Sequence, residues 1–106
     1  VRVYIAGPYT IGDKEEHVNN AITMGAQVMD LGHSPFIPHL SHFVELKYPR
    51  AWERWMEVDE DFLSICEALI RIPGESKGAD REVKMAMALG IPVFNSVADF
   101  AEEFCK

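Results

Sequence analysis

Glu82 is the residue around which chemistry in this chain can be organised. It lies in Pro73-Gly-Glu-Ser-Lys-Gly-Ala-Asp-Arg-Glu82-Val-Lys-Met-Ala-Met-Ala-Leu-Gly90, which reads as a glycine- and serine-containing loop turning into a helix. Ala79, Glu82, Val83, Ala86 and Met87 recur at spacings of three and four and share one stripe; Asp80, Arg81 and Lys84 fall off it. An acid among small apolar residues costs free energy unless it has partners or a purpose. The partial positive charge of a helix start would keep such a carboxylate ionised. Beside a loop that can hold an anion, that group suits a nucleophile. Spacing alone equally admits a structural first-turn Glu that bends back to free amides.

A second acid, Asp59, sits between apolar Val58 and Phe62 at the edge of a helical face. It is either solvated or directed at Glu82 across a cleft. Two carboxylates in one site repel, which separates their pKa values and their acid and base roles. Gly7-Pro-Tyr-Thr-Ile-Gly12 is neither GxGxxG nor a P-loop, so a dinucleotide or ATP site is not indicated. It suits a turn that lets a ligand approach the backbone, or a plain strand-to-helix turn. His39 and His42 lack the companions of a zinc site, and a loop histidine lining a polar pocket is the reading for His39. Trp52 and Trp55 read as core or interface. Neither a metal nor a cofactor is expected.

The elements that must position these residues alternate. Apolar Val1–Ala6 reads as a buried strand closed by Gly7-Pro8. Asp13 with Glu16 forms a capping box for a helix whose apolar face is Val18, Ala21, Ile22, Gly25, Val28 and Met29, ended by Leu31-Gly32. Ser34–Pro38 is a short strand, and residues 39–49 read as a loop. Ala51–Cys66 is a helix with Trp52, Trp55, Val58, Phe62 and Leu63 inward. Ala68–Ile72 is the third strand, Ile91–Phe94 the fourth, and Val97–Phe104 a closing helix. The order β-α-β-α-β-α-β-α predicts one α/β, flavodoxin- or Rossmann-like domain, residues 1–106. Its parallel sheet has four to five strands, with helices on both faces. Ligands in such sheets bind beyond the carboxyl ends of the strands. Gly7–Gly12, the His39 loop and Pro73–Gly78 converge there.

Composition bounds the function. With 106 residues, 48% of them hydrophobic, one folded core is viable. The net charge of −7 argues against a nucleic-acid surface. It leaves room for one phosphate held by backbone amides and a helix start. No apolar run suits a membrane span, and Val1–Ala6 is too short for a signal peptide. Two cysteines, Cys66 and Cys105, make no disulfide framework and point to a reducing cytoplasm.

Val3-Tyr4-Ile5-Ala6-Gly7-Pro8-Tyr9, Asp59-Glu-Asp-Phe-Leu63, Cys66-Glu-Ala-Leu-Ile70, Gly74–Glu82 and Ala86-x-x-x-Gly90-Ile-Pro-Val-Phe94 occur in that order over nearly the whole chain. Together they resemble the nucleoside 2-deoxyribosyltransferase family and its 2′-deoxynucleoside 5′-monophosphate N-glycosidase branch. The resemblance implies that Glu82 is the nucleophile on the anomeric carbon. It implies that Asp59 handles the proton of the leaving base and that Tyr4 hydrogen-bonds the nucleophile. Ser76 and Gly78 match the loop that holds a 5′-phosphate, and Ser at position 76 favours a nucleotide. Gly7, Pro8, Tyr9 and His39 complete the expected substrate-binding set. The sequence departs from the family pattern at Glu67, at Asp80-Arg81 before the nucleophile, and in a first turn without arginine.

The implied reaction cleaves a 2′-deoxyribonucleotide N-glycosidic bond through a covalent deoxyribosyl-Glu intermediate and transfers the sugar to another nucleobase. Hydrolysis is the alternative. A non-catalytic nucleotide-binding module and a flavodoxin-like FMN binder are the rivals of other classes. The resemblance also implies active sites shared in a homodimer or higher oligomer. Phe43, Tyr48, Trp52, Trp55 and Met56 offer an apolar surplus for such an interface.

Overall fold

The structure is a computed structural model that describes residues 1–105. Its elements run β1 (Arg2–Ala6), α1 (Lys14–Asp30), β2 (Ser34–Phe36), a 3-10 turn (Pro38–Leu40) and α2 (Ser41–Lys47). They continue with α3 (Trp52–Leu63), β3 (Ala68–Arg71), α4 (Lys77–Ala88), β4 (Val93–Phe94) and α5 (Val97–Phe104). The four strands pair in parallel in the order β2-β1-β3-β4. This is the α/β parallel sheet that the alternation predicts.

Strand alternation sorts the core into two layers. Val3 and Ile5 of β1 with Ala68 and Ile70 of β3 face α1 and α5, where they meet Ala21, Val28 and Phe100. Tyr4 and Ala6 with Leu69 face α3 and α4, where they meet Leu63, Ala79 and Ala86. Phe100 is fully buried, stacks on Phe104 and meets Phe94 edge-on. Truncating it to Ala costs about 3–5 kcal/mol.

Several local expectations change. Residues 39–49 are largely helical, because Ser41–Lys47 closes its own backbone bonds although none of its side chains is buried. Helix α3 stops at Leu63, short of Cys66. Phe62 is 45% exposed, stacking on Phe36 instead of entering the core. On α1, Asp13 caps the Glu16 amide as expected, but Ile22 and Met29 are exposed at the margin of a narrower buried stripe. On α4, Met87 is 68% exposed while Met85 packs inward. The stripe is therefore tilted from the one spacing suggests. Among the described residues no helix is long and apolar enough to cross a membrane.

Candidate active site

The carboxyl ends of β1, β2 and β3 open onto a cavity of about 590 Å³. Its wall includes Gly7 and Tyr9 after β1, Pro38 and His39 after β2, Glu75, Ser76 and Gly78 after β3, Asp59 from α3, and Glu82 from α4. Each segment reaches the cavity for a local reason. At Gly7 an added Cβ would lie 2.9 Å from that of Ile72, so only glycine lets the two strand ends come this close. Gly74 has φ +129°, and a Cβ there would lie 2.7 Å from Cγ of Pro8. Arg71, at the end of β3, donates to the carbonyls of Ile72 and Gly74 and pairs with Asp80 at 3.0 Å. That knot fixes the loop between β3 and α4. Ser76 caps α4, its hydroxyl oxygen accepting from the Ala79 amide at 3.1 Å.

Glu82 is buried, and the Tyr4 hydroxyl donates to its carboxyl group. Tyr4 is itself fully buried in the central strand, so the pair is held by the sheet. Counting from the Ser76 cap, Glu82 lies in the second turn of α4 and not the first. The helix-start charge fades over that distance. Burial then dominates and pushes the Glu82 carboxyl up to about 8, contrary to the expectation of an acid kept ionised by the helix start. The Tyr4 bond works against that rise, because a donated hydrogen bond favours the carboxylate. Asp59 is raised to about 7, chiefly by burial and secondarily by neighbouring Glu60. Both acids therefore titrate near neutrality, and both line one cavity.

His39 is buried, with Nε2 donating to the Pro8 carbonyl at 3.0 Å. Burial foremost lowers its pKa, so the ring is neutral. Pro8 does not line the cavity and acts through that carbonyl. The Tyr9 hydroxyl lies 2.7 Å from Nδ1 of His42. Asp80 and Arg81, which depart from the family pattern, have structural work here. Asp80 closes the Arg71 knot, and Arg81 joins Glu60 of α3 at 2.6 Å.

Trp52 and Trp55 line the cavity instead of the core, and Trp52 is 44% exposed. Sequence spacing missed their companions. The Trp55 indole donates to Glu45 at 2.5 Å, the Arg50 amide donates to the same oxygen at 3.1 Å, and the Arg50 guanidinium lies 5.6 Å from the Trp55 ring centroid. No periodicity announces this cluster, since Glu45 and Arg50 flank a helix end. Lys14 and Lys77 also reach the wall. Met56, expected on an exposed apolar face, is buried. Among the described residues no group of His, Cys, Asp and Glu could hold a metal ion.

A family model described as a domain of unknown function, DUF7768, matches residues 1–96, and the chain belongs to that family. No curated protein matches the sequence. Two solved structures share the fold. A 2-deoxyribosyltransferase from the psychrotolerant bacterium Bacillus psychrosaccharolyticus aligns with a TM-score of 0.65 and 23% identity, over 88% of this chain and 69% of that one. A 2-desoxiribosyltransferase from Leishmania mexicana aligns with a TM-score of 0.62 and 24% identity, over 87% of this chain and 61% of that one. The chain thus spans about three fifths of the Leishmania protein. The likeness is one of fold.

Proposed function

We propose that the protein cleaves the N-glycosidic bond of 2′-deoxyribonucleosides, as 5′-monophosphates, and transfers the deoxyribosyl group to another nucleobase. The observation that carries this reading is the buried Tyr4–Glu82 pair in the cavity that Asp59 also lines. The deoxyribosyltransferase fold supports it.

In this reading ionised Glu82 attacks C1′ of the sugar. The C1′–N bond breaks, its electron pair stays on the base, and protonated Asp59 supplies the proton. An incoming base then attacks C1′ from the other face, Glu82 leaves, and Asp59 recovers a proton. Two inversions give net retention. Tyr4 holds the attacking carboxylate in line. The start of α4, with Ser76, Gly78 and Lys77, offers amides, a hydroxyl and a cation to a 5′-phosphate. Glu75 in the same wall works against an anion, so the amides must dominate.

The same proposal takes residues 1–106 as one catalytic domain acting in the cytoplasm as a homo-oligomer. The exposed side chains of α2 support the last point, Leu46 being 69% exposed.

Chromatography of deoxynucleoside monophosphates incubated with the protein tests the reading. Release of base that requires an added acceptor base, with appearance of the new nucleotide, is the expected result. Release without an acceptor would make the enzyme a hydrolase. No release from any deoxynucleotide or deoxynucleoside would overturn the proposal.

A further inference from the structure

Asp59 of α3 and Glu82 of α4 line one cavity, and each has a charged residue as its chain neighbour. Glu60 follows Asp59, and Arg81 precedes Glu82. These two neighbours pair with each other, Arg81 Nε standing 2.6 Å from Glu60 Oε1. Successive helical side chains point about 100° apart, so the pair sits beside the cavity and neither member lines it. Glu60 Oε1 is buried and, among the described residues, receives no aligned hydrogen bond. The Arg81 charge is therefore what compensates it, and a carboxylate oxygen taken from water without such a partner is costly. The Arg81 guanidinium also lies 5.9 Å from the centroid of the Trp52 ring. Arg81 thus meets α3 at two points, Trp52 and Glu60.

We propose that Arg81 is a positioning residue that acts through Glu60: it ties α3 to α4 beside both acids and offsets the negative charge next to Asp59. The inference rests on the proposed function and deepens it by naming what governs the proton donor. Asp59 is kept protonated by burial foremost and by Glu60 second. With less negative charge beside it, the proton is lost before the base can take it. With more, the proton is held back from the departing base. Glu82 and Lys77 of α4, and Glu75 before it, share the cavity with Asp59. So do Tyr9, Lys14, His39, Glu45 and Arg50 from the β1, α1, β2 and α2 sides. All of these stay in place when Glu60 or Arg81 is changed, so they cannot give the two changes opposite signs.

Opposite signs are the test. Carbon-13 NMR of the carboxyl groups follows Asp59 directly, its signal assigned by loss in Asp59→Asn. Glu82→Gln protein is the parent, so that the two acids do not titrate together. Arg81→Gln leaves Glu60 uncompensated and should move the Asp59 titration up by about half a pH unit or more. Glu60→Gln should move it down by a similar amount. Arg81→Lys keeps the charge and should largely restore the parent titration. A merely structural surface pair would lower the melting temperature without moving Asp59. Unmoved titrations, or shifts of the same sign, would overturn the inference whatever the activity. With Glu82 restored, the pH optimum of kcat/KM should rise in Arg81→Gln and fall in Glu60→Gln. KM should change less than about twofold, because neither side chain lines the cavity. Fixed optima in an active enzyme would overturn the inference too. Opposite titration shifts in a protein that turns over no deoxynucleotide would sink the enzymatic reading alone.

Discussion

On the β3–α4 side of the cavity, Glu82 is buried against Tyr4 of the central strand. Its loop is tied by the Arg71 knot, and its helix is capped by Ser76. On the α2–α3 side, α2 buries none of its side chains, and the cavity is lined by Trp52, Trp55, Glu45 and Arg50, groups that remain partly or largely exposed. The first wall holds a carboxyl group dry at a fixed point. The second wall is a surface segment pinned by a few polar contacts. In the proposed reaction the nucleophile stands on the rigid side, and of the other side only Asp59 of α3 enters the chemistry while the α2 end offers adaptable contact, because a reacting group tolerates far less displacement than a contact surface does.

The largest test of that division is Glu82. Glu82→Gln should lower kcat by at least about a thousandfold, since the proposed covalent step uses that carboxylate. The same change should stabilise the fold in a pH-dependent way. The folded Glu82 carboxyl sits at about 8 against an ordinary 4.5, so the unfolded chain loses its proton first as pH rises. The wild-type fold therefore loses stability from about pH 4.5 up to about pH 8, by on the order of a few kcal/mol. Thermal melts should show Glu82→Gln ahead of wild type at pH 8 and level with it at pH 4. A melting temperature lowered at pH 8 would show that the carboxylate is stabilising, and the dry wall would be the wrong picture.

Asp59→Asn comes next, slowing cleavage by about 10²–10⁴-fold and most for poor leaving bases. Equal slowing of good and poor leaving groups would remove the proton-donor role. With Glu82 near 8 and Asp59 near 7, the productive state has the higher-pKa group ionised and the lower-pKa group protonated. kcat/KM should therefore follow a bell centred between about pH 7 and pH 8, and Asp59→Asn should abolish its alkaline fall. A flat profile across that range would contradict the assignment of both acids.

Ser76→Asp should shift preference from nucleotide toward nucleoside by about tenfold or more, because it opposes a dianion at the start of α4. An unchanged ratio in competition assays would move the phosphate elsewhere. On the adaptable wall the effects should be smaller. Glu45→Ala frees the Trp55 indole and should raise KM about threefold to tenfold with little change in kcat. A fall in kcat instead would place the Glu45–Trp55 contact in the chemistry. Smallest of all, Leu46→Lys should change monomer stability by less than about 0.5 kcal/mol. It should nevertheless loosen any oligomer that uses α2, which sedimentation would register. Identical sedimentation of variant and wild type would exclude α2 from the contact.

Much of the rigid wall was legible in the chain. Alternation of short apolar runs with helical stripes indicated the parallel sheet. The apolar run Val1–Ala6 reads as a buried strand closed by Gly7-Pro8, which carries Tyr4 into the core. Glu82 stood out as an acid in an apolar stripe. The adaptable wall was not legible. Residues 39–49 carry no clean period and read as a loop where α2 stands, and the tryptophans read as core or interface where they line the cavity.

The sequence by itself determined the order of the elements and the residue types able to do chemistry, because periodicity and turn residues act over a few neighbours in the chain. Only the tertiary structure decided their environment. Tyr4 and Glu82 are 78 residues apart in sequence yet share a hydrogen bond. The depth of Glu82 and the pKa values of both acids arise from burial by distant segments. Desolvation depends on everything packed around a group, and no local pattern encodes that sum.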